Sequence, residues 1–311
     1  MSSAGEKGPS LRDWLSAFRL RTLPLASSAM LVGGGLGFAE HPHAAGVCVL
    51  SLITAFLLQI LSNLANDYGD TLHGADNADR VGPQRAVQSG RISPAQMKRA
   101  IAITAVLALI TGISLLILAL GITGHWTAFW ILLATGILAI GAAYQYTAGS
   151  KPYGYKGLGD VSVFLFFGLI GVLGSAFLYM GIFIQEAFLP ACWVGLQSTA
   201  VLNLNNLRDH ENDRASGKMT IVARLGYRKG VMYHALLVMT ASMLMTVWAM
   251  MHSTVWMWAI TIGWSVLSVL QLGRLMQVRQ FAAIDPELKK TALATFACAL
   301  VFFAGHILAI G

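Results

Sequence analysis

Hydrophobic residues run along this chain in long unbroken stretches rather than in short alternating patterns. A membrane helix needs roughly 20 apolar residues without stray charge. Residues 22–39, 41–66, 161–185, 187–207 and 291–311 each supply one such stretch. The uncharged stretches 100–150 and 230–273 are long enough for two helices apiece, with breaks expected near GITGH at 121–125 and MHST at 251–254. The pattern predicts an all-α membrane protein of nine transmembrane helices in a single domain over 1–311. Residues 1–21 form a polar, basic N-terminal segment without the features of a removable signal peptide.

Two polar clusters interrupt the pattern at helix ends. In LSNLANDYGD at 61–70, Asn63, Asn66, Asp67 and Asp70 recur at helical spacing and project from one narrow face, which Gln59 continues deeper. In NLNNLRDHENDRASGK at 203–218, Asn203, Asn206, Asp209 and Asp213 share an arc of about 120°, continued by Thr199. The clusters echo each other at the ends of the second and sixth predicted spans, a hint of a duplicated four-helix unit. Polar side chains at membrane depth are costly, so function is the first hypothesis for both faces. For Asn63 and Asn203 alone, interhelical hydrogen bonding is the weaker alternative.

Charge fixes a topology. The chain is 56% hydrophobic and only 11% charged, outside the range of soluble domains. With nine spans, all 21 Lys and Arg residues fall at the N-terminus or around 67–99, 151–160, 208–229 and 274–290, while the other side holds only Glu40 and Glu186. Basic loops stay cytoplasmic, which places the N-terminus and both polar clusters on the cytoplasmic side of the inner membrane and the C-terminus outside. Basic residues scattered between spans do not make a nucleic-acid surface.

Carboxylates and amide oxygens are hard ligands suited to Mg²⁺. Two acidic clusters facing each other would hold divalent ions that bridge to a diphosphate and stabilise its departure. Arg85, Lys151, Arg208, Arg214 and Lys218 are candidates for gripping the remaining phosphate oxygens, and an apolar space between the helices would hold a lipid tail. Asp79, Glu211, Asp285 and Glu287 read as solvated helix-end acids. Asp76 lies off the first polar face, beyond Gly69 and Gly74. Arg21 is a substrate contact or a topology anchor, and His73 and His210 neighbour the acidic motifs, with substrate contact the weaker of their two readings. Cys48, Cys192 and Cys298 read as packing residues. His41, His43, His125 and His252 read as interfacial, and GGGLG at 33–37 as a close helix contact rather than a nucleotide loop.

These residues resemble the UbiA-type intramembrane prenyltransferases. The resemblance rests on RLRTLPLA at 19–26, LQILSNLANDYGD at 58–70, GPQRAVQSGRIS at 82–93, YTAGSKPYGYKGLGD at 146–160 and LNLNNLRDHENDRASGKMTIVARLG at 202–226. Within the superfamily it is strongest to members that prenylate 1,4-dihydroxy-2-naphthoate in menaquinone biosynthesis. It implies nine helices around a central cavity, open sideways to the bilayer, and Mg²⁺-dependent transfer from a polyprenyl diphosphate to the aromatic acid with loss of CO2. Carried over, Asn66, Asp67 and Asp70 match the first metal motif, and Asp209 and Asp213 the second. Tyr146 and Lys151 stand near a Tyr–Lys pair of the superfamily, spaced one residue wider here. A 4-hydroxybenzoate prenyltransferase is the nearest rival. A transporter is a further one, although its polar residues would be spread through the membrane depth.

Overall fold

The computed structural model describes residues 8–78, 80–252 and 255–310. Among these, nine helical segments are long and apolar enough to cross a membrane, and no strand occurs. The chain is a multi-pass membrane protein. Asp79 and positions 253–254 of the expected 251–254 break lie outside the described residues.

The first span begins with α1 (Leu11–Phe18), capped by reciprocal Ser10–Asp13 hydrogen bonds. It turns through Leu20–Thr22 into α2 (Leu23–Gly37), where Pro24 suits the first turn. The second span, α3 (Ala44–Leu72), runs unbroken past residue 66, so the first acidic motif is helical throughout. A capping box of Ser93 and Gln96 starts α4 (Pro94–Leu116). This helix loosens into a π turn ending at Gly121 before α5 (Trp126–Gln145), where the sequence predicts a break. Then come α6 (Gly159–Val163), a π-helical stretch Phe164–Leu173 and α7 (Gly174–Met180), continuous as one span. The sixth span, α8 (Phe188–Ala215), carries the second acidic motif without interruption. A one-turn α9 (Ile221–Leu225) leads to α10 (Tyr227–His252), α11 (Val255–Met276) and α12 (Asp285–Ile310).

Helix α8 is the hub, packing on α10, α12 and the π-helical stretch. Its Trp193, with Trp248 and Phe302, fills the largest apolar core. Across the bundle, α2 packs on α3, α7 and α12. Gly33 makes the α2 contact possible, since a Cβ there would sit 2.4 Å from the Val172 carbonyl oxygen. Helix α5 packs on α3 and α4 and has little contact with the α6–α7 span.

Glu287 and Asp285 depart from the expectation of solvated acids. Glu287 is 5% exposed. It binds Arg274 at 2.9 Å and Lys290 at 2.8 Å and accepts from Gln271, which also bonds His234, so α10, α11 and α12 are joined by a polar chain. Asp285 pairs with Arg21 and Arg208. Arg208 reaches Asp285 and Arg274 reaches Glu287 because α12 begins against α8 and α11, a juxtaposition without local trace in the sequence, whereas Lys290 is the i,i+3 neighbour of Glu287 on α12 itself. Glu211 is exposed, as expected.

Candidate active site

Loop residues Arg80, Tyr155 and Lys218 converge on the acidic faces of α3 and α8. Gly69 sets the first approach. A Cβ at Gly69 would lie 2.4 Å from the Thr147 carbonyl oxygen, so α3 and the α5–α6 loop touch backbone to backbone. Thr147 Oγ1 secures the contact on Ala65 O at 3.1 Å and Asn66 Oδ1 at 3.0 Å. The same loop then brings the Tyr155 hydroxyl to Asp70, donating at 2.9 Å.

The acids of α3 are held differently. Asp67 accepts from the backbone amides of Ala86 (3.0 Å) and Val87 (3.1 Å), one oxygen each. It thereby staples the 73–93 loop over the site, and Ala86, Val87 and Ile92 bury against Leu61, Leu64, Met97 and Ala17. Asp70 instead pairs with Lys218 at 3.0 Å. Burial works against the Lys218 charge, yet the adjoining Asp70 and Asp213 carboxylates outweigh it and hold the ammonium above the ordinary lysine range.

On α8, Arg208 lies against Asp209 at 2.6 Å and also reaches Asn205 and Asp285. Arg80, from the loop, joins the clusters: it pairs with Asp76 and meets Asp209 at 3.2 Å. Arg85 Nε lies 3.6 Å from Asp76. Burial pushes the Asp76 carboxyl up despite these two cations, and burial together with neighbouring Arg19 and Arg80 pulls Arg85 well down. Asn212 Nδ2 donates to Ala75 O at 2.8 Å, a further tie between α8 and the loop. Asp213 and Asn206 are buried on the same face.

Below this charged roof lies a cavity of about 280 Å³ lined by α2, α3, α5 and the α6–α7 span. Its walls are mostly aliphatic and aromatic, with Gln59, Ser62, Tyr146 and Tyr153 toward the polar end. Among the described residues no three carboxylate or imidazole groups converge as a bound ion would draw them. The donor set nonetheless fits a hard divalent ion, because Asn66, Asp67, Asp70, Asp76, Asp209 and Asp213 offer only oxygens. Asp76 also keeps one buried oxygen without a hydrogen bond.

The sequence-predicted residues divide accordingly. Asp70, Asp209, Asp213, Asn206 and Lys218 gather under the roof, and Gln59 and Tyr146 face the cavity. Asn63 clamps the α1–α2 connection through Phe18 O (2.9 Å) and Thr22 Oγ1 (3.0 Å), and Asn203 donates to Gly230 O at 3.3 Å. Both asparagines therefore join helices. Arg21 is tied to Asp285 at 3.0 Å, Lys151 is exposed on its loop, and His210 packs on Phe281. His73 bonds Gly69 O beside the Tyr155 ring. Arg19, Arg80 and Tyr155 were not singled out by the sequence, and Asp76 was set aside. Arg80 had one signal, its i,i+4 spacing from Asp76.

An apolar cavity within the membrane, roofed by paired carboxylates and cations, defines an intramembrane transferase of lipid-tailed substrates. The chain belongs to the UbiA prenyltransferase family, whose model matches residues 26–297, and it is a prenyltransferase. It is 43% identical to the 1,4-dihydroxy-2-naphthoate octaprenyltransferase of Escherichia coli (strain K12), over 95% of each chain. It is 34% identical to the Mycobacterium tuberculosis (strain ATCC 25618 / H37Rv) protein of the same name, over 94% of this chain and 95% of that one. Among solved structures, a UbiA homologue from Archaeoglobus fulgidus bound to DMAPP and Mg²⁺ matches with a TM-score of 0.63 at 14% identity, over 92% of this chain and 99% of that one. At that identity the likeness shows the fold.

Proposed function

We propose that this chain transfers a polyprenyl group from polyprenyl diphosphate to 1,4-dihydroxy-2-naphthoate, releasing CO2 and diphosphate and giving demethylmenaquinone. It acts as a single domain in the cytoplasmic membrane, with the N-terminus and the site facing the cytoplasm and the C-terminus outside. The observation that carries this reading is the meeting of two acidic helix faces and their paired cations at the end of one apolar cavity. The acceptor follows the names of the similar proteins.

The cavity takes the prenyl tail, and the sparse contact between α5 and the α6–α7 span lets a long chain extend into the bilayer. Asn66, Asp70, Asp76, Asp209 and Asp213 would hold Mg²⁺, with Asp67 contributing its remaining lone pairs while it anchors the loop. Mg²⁺ there supplies charge neutralisation that favours departure of the diphosphate. Lys218 and Arg80, poised on Asp70 and Asp209, are placed to turn to phosphate oxygens once those carboxylates are otherwise engaged. The loop and the cavity walls keep water from the allylic cation left when the C–O bond breaks. The electron-rich ring attacks through the carbon bearing the carboxylate. The bond to CO2 then breaks and returns its electron pair to the ring, so no proton need be removed from carbon.

Purified protein given Mg²⁺, a polyprenyl diphosphate and either 1,4-dihydroxy-2-naphthoate or 4-hydroxybenzoate tests the acceptor. A prenylated naphthoquinol from the first and no product from the second is the expected result. Prenylation of 4-hydroxybenzoate alone would overturn the acceptor assignment.

A further inference from the structure

Arg19 connects α1 to the turn before α2, and among the described residues it is the one non-glycine with a positive φ, 50°. Left-handed backbone is unfavourable for a residue with a side chain and persists where surrounding structure enforces it, often at functional sites. Here the enforcement is visible. The Arg19 carbonyl accepts from the Thr22 amide at 2.8 Å and from Thr22 Oγ1 at 2.9 Å. Thr22 Oγ1 in turn accepts from Asn63 Nδ2 at 3.0 Å, and Asn63 Oδ1 accepts from the cavity-lining Gln59 at 3.2 Å. A strained turn is thus fixed by the same α3 face that carries Asp67 and Asp70.

The turn sends the guanidinium into the charged chamber, where it feels the charges of Asp67, Asp70 and Asp76 and of Arg80 and Arg85. Arg80, Arg85, Arg208 and Lys218 each have a carboxylate within 4.0 Å. Arg19 has none among the described residues. Its Nε and Nη2 are both buried without a hydrogen-bond partner. These two nitrogens share one edge of the guanidinium, and their parallel N–H bonds match the two oxygens of a planar carboxylate. Buried donors are rarely left unpaired in a finished site.

We propose that Arg19 recognises the acceptor: its Nε–Nη2 edge takes the carboxylate of the aromatic acid and holds the ring between the acidic clusters and the mouth of the cavity. The assignment rests on the reading that the acceptor is an aromatic carboxylic acid. A single two-donor edge suits a monoanionic carboxylate, whereas Lys218 and Arg80, seated on the acids of the two clusters, suit a diphosphate. Loss of CO2 removes the group that the fork holds, so the product no longer matches the site that oriented the substrate.

Steady-state kinetics of the full chain in detergent test this, with acceptor and prenyl diphosphate varied separately. Arg19→Gln is expected to raise the acceptor KM about 100-fold while changing the diphosphate KM by less than about 2-fold, the pattern for losing one partner of a buried charge pair. Arg19→Lys, which keeps the charge and loses the fork, falls between. The uncharged amide of the acceptor, which cannot lose CO2, should inhibit the native protein and Arg19→Gln with equal affinity. Arg19→Gly accepts the positive φ without strain; it should fold with a native melting temperature and show the same loss, which covers failure of the other variants to fold. A rise in the diphosphate KM alone, or no change in either, would overturn the assignment. If the native protein uses no aromatic acid, the functional reading falls and this assignment with it. Native turnover with an unaffected Arg19→Gln variant sinks only the role of Arg19.

Discussion

Asp67 and Asp70 stand less than one turn apart on α3 yet are held for different work. Asp67 satisfies two loop amides, whereas Asp70 faces Lys218 and Tyr155. Asp67→Asn leaves one amide without an acceptor, at a cost of about 1–3 kcal/mol. It should expose the 73–93 loop to limited proteolysis; an unchanged cleavage pattern would argue against the staple. Asp70→Asn should instead leave the loop intact and lower kcat about 10³-fold, as expected where a group supports charge development in the transition state. Lys218 gives a pH test. Because its folded pKa is raised, its contribution is complete below the ordinary lysine value and is lost only as pH rises through the higher folded value. In metal-free detergent the melting-temperature gap between the native protein and Lys218→Met should therefore hold from about pH 6 to about pH 10. A gap that closes in that window would contradict the pairing.

At the scale of elements, the helices that carry chemistry were readable because polarity at helical spacing stands out against an apolar background. Asn63, Asp67, Asp70, Asn203, Asn206, Asp209 and Asp213 are all buried on inward faces. What joins the elements was less legible. The partners of Asp209 and Asp285 that join different elements, Arg80 for the first and Arg21 and Arg208 for the second, are distant in sequence, and nothing in the local pattern of Arg19 announces a left-handed turn. Gly33 is an exception, since a run of glycines inside a span signals close packing. With a Cβ at Gly33 only 2.4 Å from the Val172 carbonyl oxygen, Gly33→Val must push α2 from the π-helical stretch. A loss of about 1–3 kcal/mol is expected, seen as a lower melting temperature; native stability would show that the contact yields freely.

On the scale of the whole molecule, the distribution of charge and apolar surface separates two jobs between the ends and the middle of one bundle. One end gathers the charged roof, and the apolar cavity lies among α2, α3, α5 and the α6–α7 span. The nine spans found among the described residues were legible from hydrophobicity alone, because a membrane imposes length and charge exclusion on every segment. The extent of cation pairing at the roof was not. The protein stripped with chelator, then supplied with polyprenyl diphosphate and carboxyl-labelled 1,4-dihydroxy-2-naphthoate, provides the most direct test of the central proposal. No product should form until Mg²⁺ is added, after which labelled CO2, diphosphate and prenylated quinol should appear in equal amounts. Turnover in the presence of chelator, or a prenylated product that keeps its label, would contradict the account.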